Sequence, residues 1–164
     1  MRVCFVIGLC LLLWLICYLS KGNDLKNMFG YRSYPKEVQD ILKNDEVLSK
    51  HIPEINMVKI IAENIILFTV IFLIVGLIIK HTSGFNNFLD MFIYFLILGE
   101  TINLFDLVVI DLLWWRNTKR IRFSCAKDKS LYQNPSVHIN SFKRGIIMYI
   151  VVALITSCIL NLLP

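Results

Sequence analysis

Four long apolar blocks constrain the fold of this chain more than any other feature of its sequence. Blocks of about 18 apolar residues or more are typical of helices that cross a membrane. Hydrophobic residues make up 57% of the chain and the mean hydropathy is +0.65. The sequence therefore predicts an all-α integral membrane protein, a single membrane domain over 1–164. Its four transmembrane helices are expected at about 3–19, 57–79, 88–115 and 145–163.

The first block has two interpretations. Arg2 followed by an apolar core is also typical of a cleaved signal peptide. No cleavage site of the A-x-A type follows Leu19, so we expect an uncleaved anchor. Cleavage would leave three spans and place the loop 21–59 outside the cell.

Positive charge predicts the threading. The segments 21–59 and 116–144 contain seven and eight of the 17 Lys and Arg residues. With four spans they lie on one side of the membrane, which the positive-inside rule makes the cytoplasm. We therefore expect a cell-membrane protein with both termini outside, although Arg2 opposes this threading. The net charge of +5 then follows from topology and does not indicate nucleic-acid binding. The expected partners are membrane lipid and either another membrane subunit or a second copy.

The first basic loop contains a predicted short amphipathic helix from Pro35 to Lys50. A proline is well tolerated at the start of a helix, and charged residues surround a single apolar face. This cytoplasmic helix is expected to lie on the inner membrane surface or to dock on the bundle. Its apolar face consists of Val38, Ile41, Leu42 and Leu48.

The third block has a polar face within a segment that otherwise suits lipid. With Trp114 at the cytoplasmic boundary, Asp106 falls just short of the bilayer midplane and Glu100 beyond it. A charge at that depth costs roughly 2.5–3.5 kcal/mol, so the face is expected to point into the bundle. Ala153 and Ser157 on the fourth block would allow close packing there. On an α-helix the face spans roughly 140° and consists of Glu100, Asn103, Asp106 and Asp111.

Three interpretations of this face stay open. Its side chains could join helices by hydrogen bonds, line a path for a proton, ion or small solute, or belong to an enzyme site near the cytoplasmic face. The enzyme interpretation adds Tyr132 and His138 of the last loop. Asp106, Asp111 and His138 are also the candidate metal ligands, because carboxylates and imidazole bind divalent ions. No established catalytic or zinc-binding motif occurs, and no cofactor is indicated.

The function predicted first is non-enzymatic: a solute or ion permease subunit, or a membrane interaction partner. The alternative is a membrane-embedded, metal-dependent enzyme acting on a lipid or polar headgroup at the cytoplasmic face. These two functions differ in the depth they require. Transport needs Glu100 and Asp106 near the midplane, whereas headgroup chemistry needs Asp106, Asp111 and His138 together at the cytoplasmic rim.

Two expectations concern the cytoplasmic end of the third block. Trp114 and Trp115 are typical of interfacial anchors. Asp111 lies close enough to the interface to meet long basic side chains, so we expect it to contact Arg120 or Arg122.

The stretch NLFDLVVIDLLWWRNTKR, with a later Tyr-x5-His pair, resembles a family of small four-span membrane proteins of clostridia and related Gram-positive bacteria. The chain has SCAKDK where that family has an acidic Gly-Thr-Glu-Asp-like stretch, and keeps only Asp128. The resemblance implies a four-span fold and groups Asp106, Asp111 and His138, but it implies no activity. The shared positions are Asn103, Asp106, Asp111, Trp114, Lys119, Arg120, Tyr132 and His138.

Overall fold

The computed structural model describes residues 2–54, 56–82, 84–85 and 87–163. The helix α5 continues directly into a π-helical segment, Asp106–Trp115. Short 3-10 helices cover Tyr31–Ser33, Leu48–His51 and Lys129–Tyr132. The α-helices are α1 (Arg2–Leu19), α2 (Asp24–Met28), α3 (Lys36–Asn44), α4 (Met57–Thr82), α5 (Phe88–Phe105) and α6 (Ser136–Leu162).

The prediction of four long apolar helices is confirmed in the described part of the chain. Four helices are long and apolar enough to cross a membrane, namely α1, α4, α5 with its π-helical extension, and α6. Their bounds differ most at α6, which begins at Ser136 rather than near Gly145. The residues in between are mostly polar, so hydropathy alone does not reveal this first part of the helix.

The chain divides into two compact units by the contacts between its residues. The first unit contains Met1–Leu9, Asn56–Leu104 and Lys143–Pro164. The second unit contains Cys10–Ile55 and Phe105–Phe142. The second unit therefore includes most of both basic loops and the π-helical segment.

Aromatic stacking and close backbone contact hold the first unit together. The Phe72 ring lies 5.6 Å from that of Phe95 and 6.1 Å from that of Tyr149, which joins α4, α5 and α6. A β-carbon at Gly99 would stand 2.6 Å from the Tyr149 ring, so α5 and α6 approach each other through this glycine. Small residues that allow such an approach are typical of membrane helix pairs.

Arg2 forms a buttressed ion pair within the first unit. Its guanidinium donates to both carboxylate oxygens of Asp90, at 3.0 and 3.1 Å, and to the Gly84 carbonyl at 3.0 Å. It also lies over the rings of Phe85 and Tyr94, at 4.8 and 5.5 Å from their centroids. The charge of Arg2, which appeared unfavourable in the sequence, is therefore compensated next to the turn that precedes α5.

The core of the second unit is aromatic. Tyr34 is completely buried, and its ring lies 4.9 Å from those of Trp115 and Phe123 and 6.0 Å from that of Tyr132. Its hydroxyl donates to the Ile121 carbonyl at 3.0 Å. Burial raises the pKa of this hydroxyl far above its usual value, so it stays protonated and keeps donating.

Helix α3 is shorter than predicted, because it ends at Asn44 rather than near Lys50. Asp45 follows it, and its carboxylate accepts from the backbone N–H groups of Val47 and Leu48 at 3.0 and 2.8 Å. Such a local turn competes with helix continuation. The apolar side of α3 is completely buried in the aromatic core, through Val38 and Leu42.

Candidate acid–base site

The π-helical winding of Asp106–Trp115 determines which side chains share a face. In a π-helix each N–H bonds to the carbonyl five residues earlier, as the Arg116 N–H does with the Asp111 carbonyl at 3.4 Å. Residues five apart therefore lie on adjoining turns of one side. The segment is π-helical rather than α-helical as predicted, which narrows the angle between Asp106 and Asp111 on the face they were expected to share. Asp106 and Asp111 belong to the same side.

Asp111 and His138 form the central contact of the site. The imidazole Nδ1 lies 2.9 Å from the Asp111 Oδ2. The side chains are largely removed from solvent, with 3% of His138 and 15% of Asp111 exposed. A carboxylate only accepts hydrogen bonds, so the imidazole donates its Nδ1–H, and the neutral ring then has its lone pair on Nε2.

The second ring nitrogen of His138, Nε2, is buried and has no hydrogen-bond partner among the described residues. The imidazole ring also meets the Trp115 indole edge-to-face, with 4.6 Å between centroids. Asp111 and Trp115 therefore fix the imidazole in position, and its Nε2 is left buried and unpaired. A buried polar atom without a partner is uncommon in folded proteins and requires an explanation.

Asp106 supplies a second carboxyl group near this pair. It interacts electrostatically with both Asp111 and His138. Two carboxyl groups and an imidazole thus interact electrostatically within the second unit. Such a set can take up a proton, hold it and release it.

The predicted contact between Asp111 and Arg120 or Arg122 is wrong, because Asp111 pairs with His138. The Arg120 guanidinium instead donates to the carbonyls of Tyr18 and Lys21, at 3.2 and 2.8 Å, and lies 4.1 Å from the Tyr18 ring centroid. It thereby caps the carbonyl-rich end of α1, a favourable place for a cation.

The other two residues of the predicted polar face belong to the first unit. The Asn103 amide donates to the Glu100 Oε2 at 3.3 Å and packs directly against Gly145. The Glu100 Oε1 is buried and has no hydrogen-bond partner in the described part of the chain. Ala153 and Ser157, predicted as small packing residues, are completely buried.

Tyr132 is buried within the second unit and forms hydrogen bonds with its backbone. It is completely buried, and its hydroxyl donates to the Ala126 carbonyl at 2.7 Å and accepts from the Phe123 N–H at 3.1 Å. These contacts close the tight turn between Phe123 and Ala126. The hydroxyl thus donates and accepts its hydrogen bonds within the backbone of the loop.

Trp115 was misinterpreted from the sequence. It is only 3% exposed and packs between the rings of Tyr132 and His138, so it is not an interfacial anchor. Trp114 is partly buried and contacts the Tyr18 ring at 6.3 Å. The two tryptophans are adjacent and follow the same apolar run. The sequence pattern therefore does not indicate that Trp115 is buried and Trp114 only partly buried.

No three His, Cys, Asp or Glu side chains converge closely enough to hold a metal ion in the part of the chain that the structure describes. The best-defined chemical feature of the site is therefore the Asp111–His138 pair itself.

Comparison of the chain with protein-family models, curated proteins and solved structures gave no match.

The π-helical winding predicts an unusual tolerance to deletion. Removing Val108, which is 40% exposed, is expected to convert the i→i+5 turn into an ordinary i→i+4 turn and to keep Asp106 and Asp111 on one side. Removing Ile97, which is 59% exposed but lies in the α-helical part, should rotate the rest of the helix by about 100°. Thermal unfolding in detergent should show a small decrease in melting temperature for the Val108 deletion and a large decrease for the Ile97 deletion. Equal decreases in melting temperature would contradict the π-helical assignment.

Proposed function

We propose that this multi-pass membrane protein performs acid–base chemistry on a membrane-borne polar headgroup. The observation that supports this most is the buried Asp111–His138 pair with its unpaired Nε2. In this proposal His138 takes a proton from the substrate or its attacking group, and Asp111 orients the ring and stabilises the imidazolium that forms. Asp106 then serves as a second proton-handling group.

The position of the pair in the sequence supports a headgroup as substrate. Asp111 lies five residues before Arg116, where the long apolar run ends. The following loop is basic, which suits an anionic phosphate group. Its cationic residues are Arg116, Lys119, Arg120, Arg122, Lys127 and Lys129.

The proposed threading has both termini outside and the two basic loops in the cytoplasm. The compensation of Arg2 by Asp90 supports it, because Arg2, a basic residue whose charge opposes this threading, is paired in the fold. Cys125 is exposed and lies in the second basic loop. A membrane-impermeant maleimide should label it only after cells are permeabilised. Labelling in intact cells would contradict this threading.

The proposed activity can be tested in lipid nanodiscs that contain phosphatidylethanolamine, phosphatidylglycerol and cardiolipin. Mass spectrometry should detect a time-dependent change of headgroup with the wild-type protein. Replacing a general acid–base residue typically costs about 100-fold or more in rate, so His138→Gln should lose the change. His51→Gln is the matched control, since His51 is exposed and outside the site. Absence of conversion by the wild type, or its survival in His138→Gln, would contradict the proposal.

A permease subunit is the second candidate, and an observation in the first unit favours it. The Glu100 Oε1 is buried without a partner among the described residues, and so are three hydroxyl groups, those of Thr69, Thr156 and Ser157. Unpaired polar atoms inside a membrane helix bundle are typical of solute or proton paths. Proton flux into vesicles that Glu100→Gln abolishes and His138→Gln leaves intact would support this candidate over the enzyme.

A further inference from the structure

An exposed apolar pair follows the first membrane-crossing helix. Leu25 on α2 and Phe29, directly after it, are 58% and 90% exposed. They stand four residues apart, which places them on one side of a helix. The intervening Asn27 and Met28 are buried in the second unit, so α2 has a covered side and an uncovered one. A phenylalanine this exposed is a candidate for contact with an apolar phase.

The position of α2 places this pair at the surface of the bilayer. Helix α1 has 18 residues, which span about 27 Å at 1.5 Å per residue. A hydrocarbon core is ~30 Å thick, so a spanning α1 must end at its boundary. The Lys26 ammonium donates back to the Leu19 carbonyl at 3.4 Å, and the Lys21 ammonium lies against Gly30. The segment that bears Leu25 and Phe29 therefore stays at the end of α1.

The charges beside this pair suit an anionic leaflet. Lys26 is exposed within the segment, and Arg32 follows three residues after Phe29. Basic residues that frame exposed apolar side chains are typical of elements that lie in the headgroup region.

Helix α3, which was predicted to lie on the inner membrane surface or to dock on the bundle, is less suitable for contact with lipid. Val38 and Leu42 on its apolar side are completely buried within the second unit. The amphipathic helix thus packs on protein, and the uncovered apolar surface of this loop belongs to α2 and Phe29.

We propose that Leu25 and Phe29 insert into the boundary between headgroups and acyl chains of the leaflet in which α1 ends, with Lys26 beside anionic phosphates. The pair forms a lipid-binding surface that holds the second unit against the membrane. This inference is independent of the proposed activity.

A fluorescent label can test the insertion directly. Phe29→Cys would be made in a protein whose exposed cysteines, Cys4, Cys125 and Cys158, are serine, and labelled with an NBD maleimide. The protein is reconstituted in vesicles of phosphatidylcholine and phosphatidylglycerol, with and without a nitroxide on the lipid acyl chain. The label at position 29 should lose most of its emission to the nitroxide lipid. Leu25→Cys takes its place if the first variant does not fold.

The matched control is Lys43→Cys, because Lys43 forms an exposed ion pair with Asp40 and reports the aqueous limit. The same protein without an introduced cysteine gives the background from Cys10 and Cys17. Quenching at position 29 that exceeds the control supports the proposal. Quenching no greater than at position 43 overturns it. Blue-shifted emission that the nitroxide lipid does not quench also overturns it, since the label would then contact protein.

Discussion

Replacing Tyr34 with alanine is expected to lower the free energy of unfolding by about 3–5 kcal/mol, the usual cost of removing a buried aromatic side chain. Tyr34 is completely buried and contacts Trp115, Phe123 and Tyr132 by ring packing. Its loss would leave a cavity at the centre of the second unit. Denaturant unfolding in detergent, followed by near-UV circular dichroism, measures the effect on this aromatic core.

Tyr34→Phe is the control for this prediction. It keeps the ring and removes only the hydrogen bond to the Ile121 carbonyl, so we expect a loss of about 1 kcal/mol. If Tyr34→Ala cost no more than Tyr34→Phe, the aromatic core would not be the main source of stability in the second unit.

The second large effect is expected at Asp111. Asp111→Leu removes the acceptor and leaves the buried Nδ1–H of His138 without a partner, at a cost of about 1–3 kcal/mol. It should also abolish any headgroup conversion. Asp111→Asn retains an acceptor oxygen and should cost less stability. A double-mutant cycle with His138→Leu should give a coupling energy of about 0.5–3 kcal/mol. A coupling energy near zero would show that the two side chains act independently.

The long apolar helices could be predicted because their signal is local and strong. A bilayer interior requires paired backbone groups, and α1 and α4 match their apolar runs closely. The early start of α6 could not be predicted in the same way. Residues 136–144 are mostly polar, so hydropathy does not indicate that they belong to a long apolar helix.

Residue type suggested the grouping of Asp106, Asp111 and His138, and the structure shows the contact between Asp111 and His138. A helical wheel assumes 100° per residue, and no glycine or proline in the segment 106–115 signals a π-helix. The assumed angle placed Asp106 and Asp111 on one wide face, and the nearness of Asp111 to the interface favoured an arginine as its partner. The π-helical turn narrows the angle between Asp106 and Asp111, and Asp111 pairs with His138 instead.

Contacts between distant parts of the chain were also beyond the reach of one sequence. The buried Asn27 donates to the Arg120 carbonyl at 3.0 Å across 93 residues of sequence, and Arg2 reaches Asp90 across 88. No local sequence pattern predicts either contact. By contrast, the end of α3 could have been anticipated, since Asn-Asp pairs favour turns.

The tautomer of His138 shows whether Asp111 accepts a hydrogen bond from the imidazole Nδ1–H. Nitrogen NMR of the ¹⁵N-histidine-labelled protein in nanodiscs, at a pH where imidazole is neutral, reports which ring nitrogen bears the proton. His51→Gln and His81→Gln variants assign the signal of His138. Because Nδ1–H donates to Asp111, we expect a proton on Nδ1 and a bare Nε2 in the wild type, with that preference lost in Asp111→Leu. A wild-type signal with the proton on Nε2 and a bare Nδ1 would contradict it.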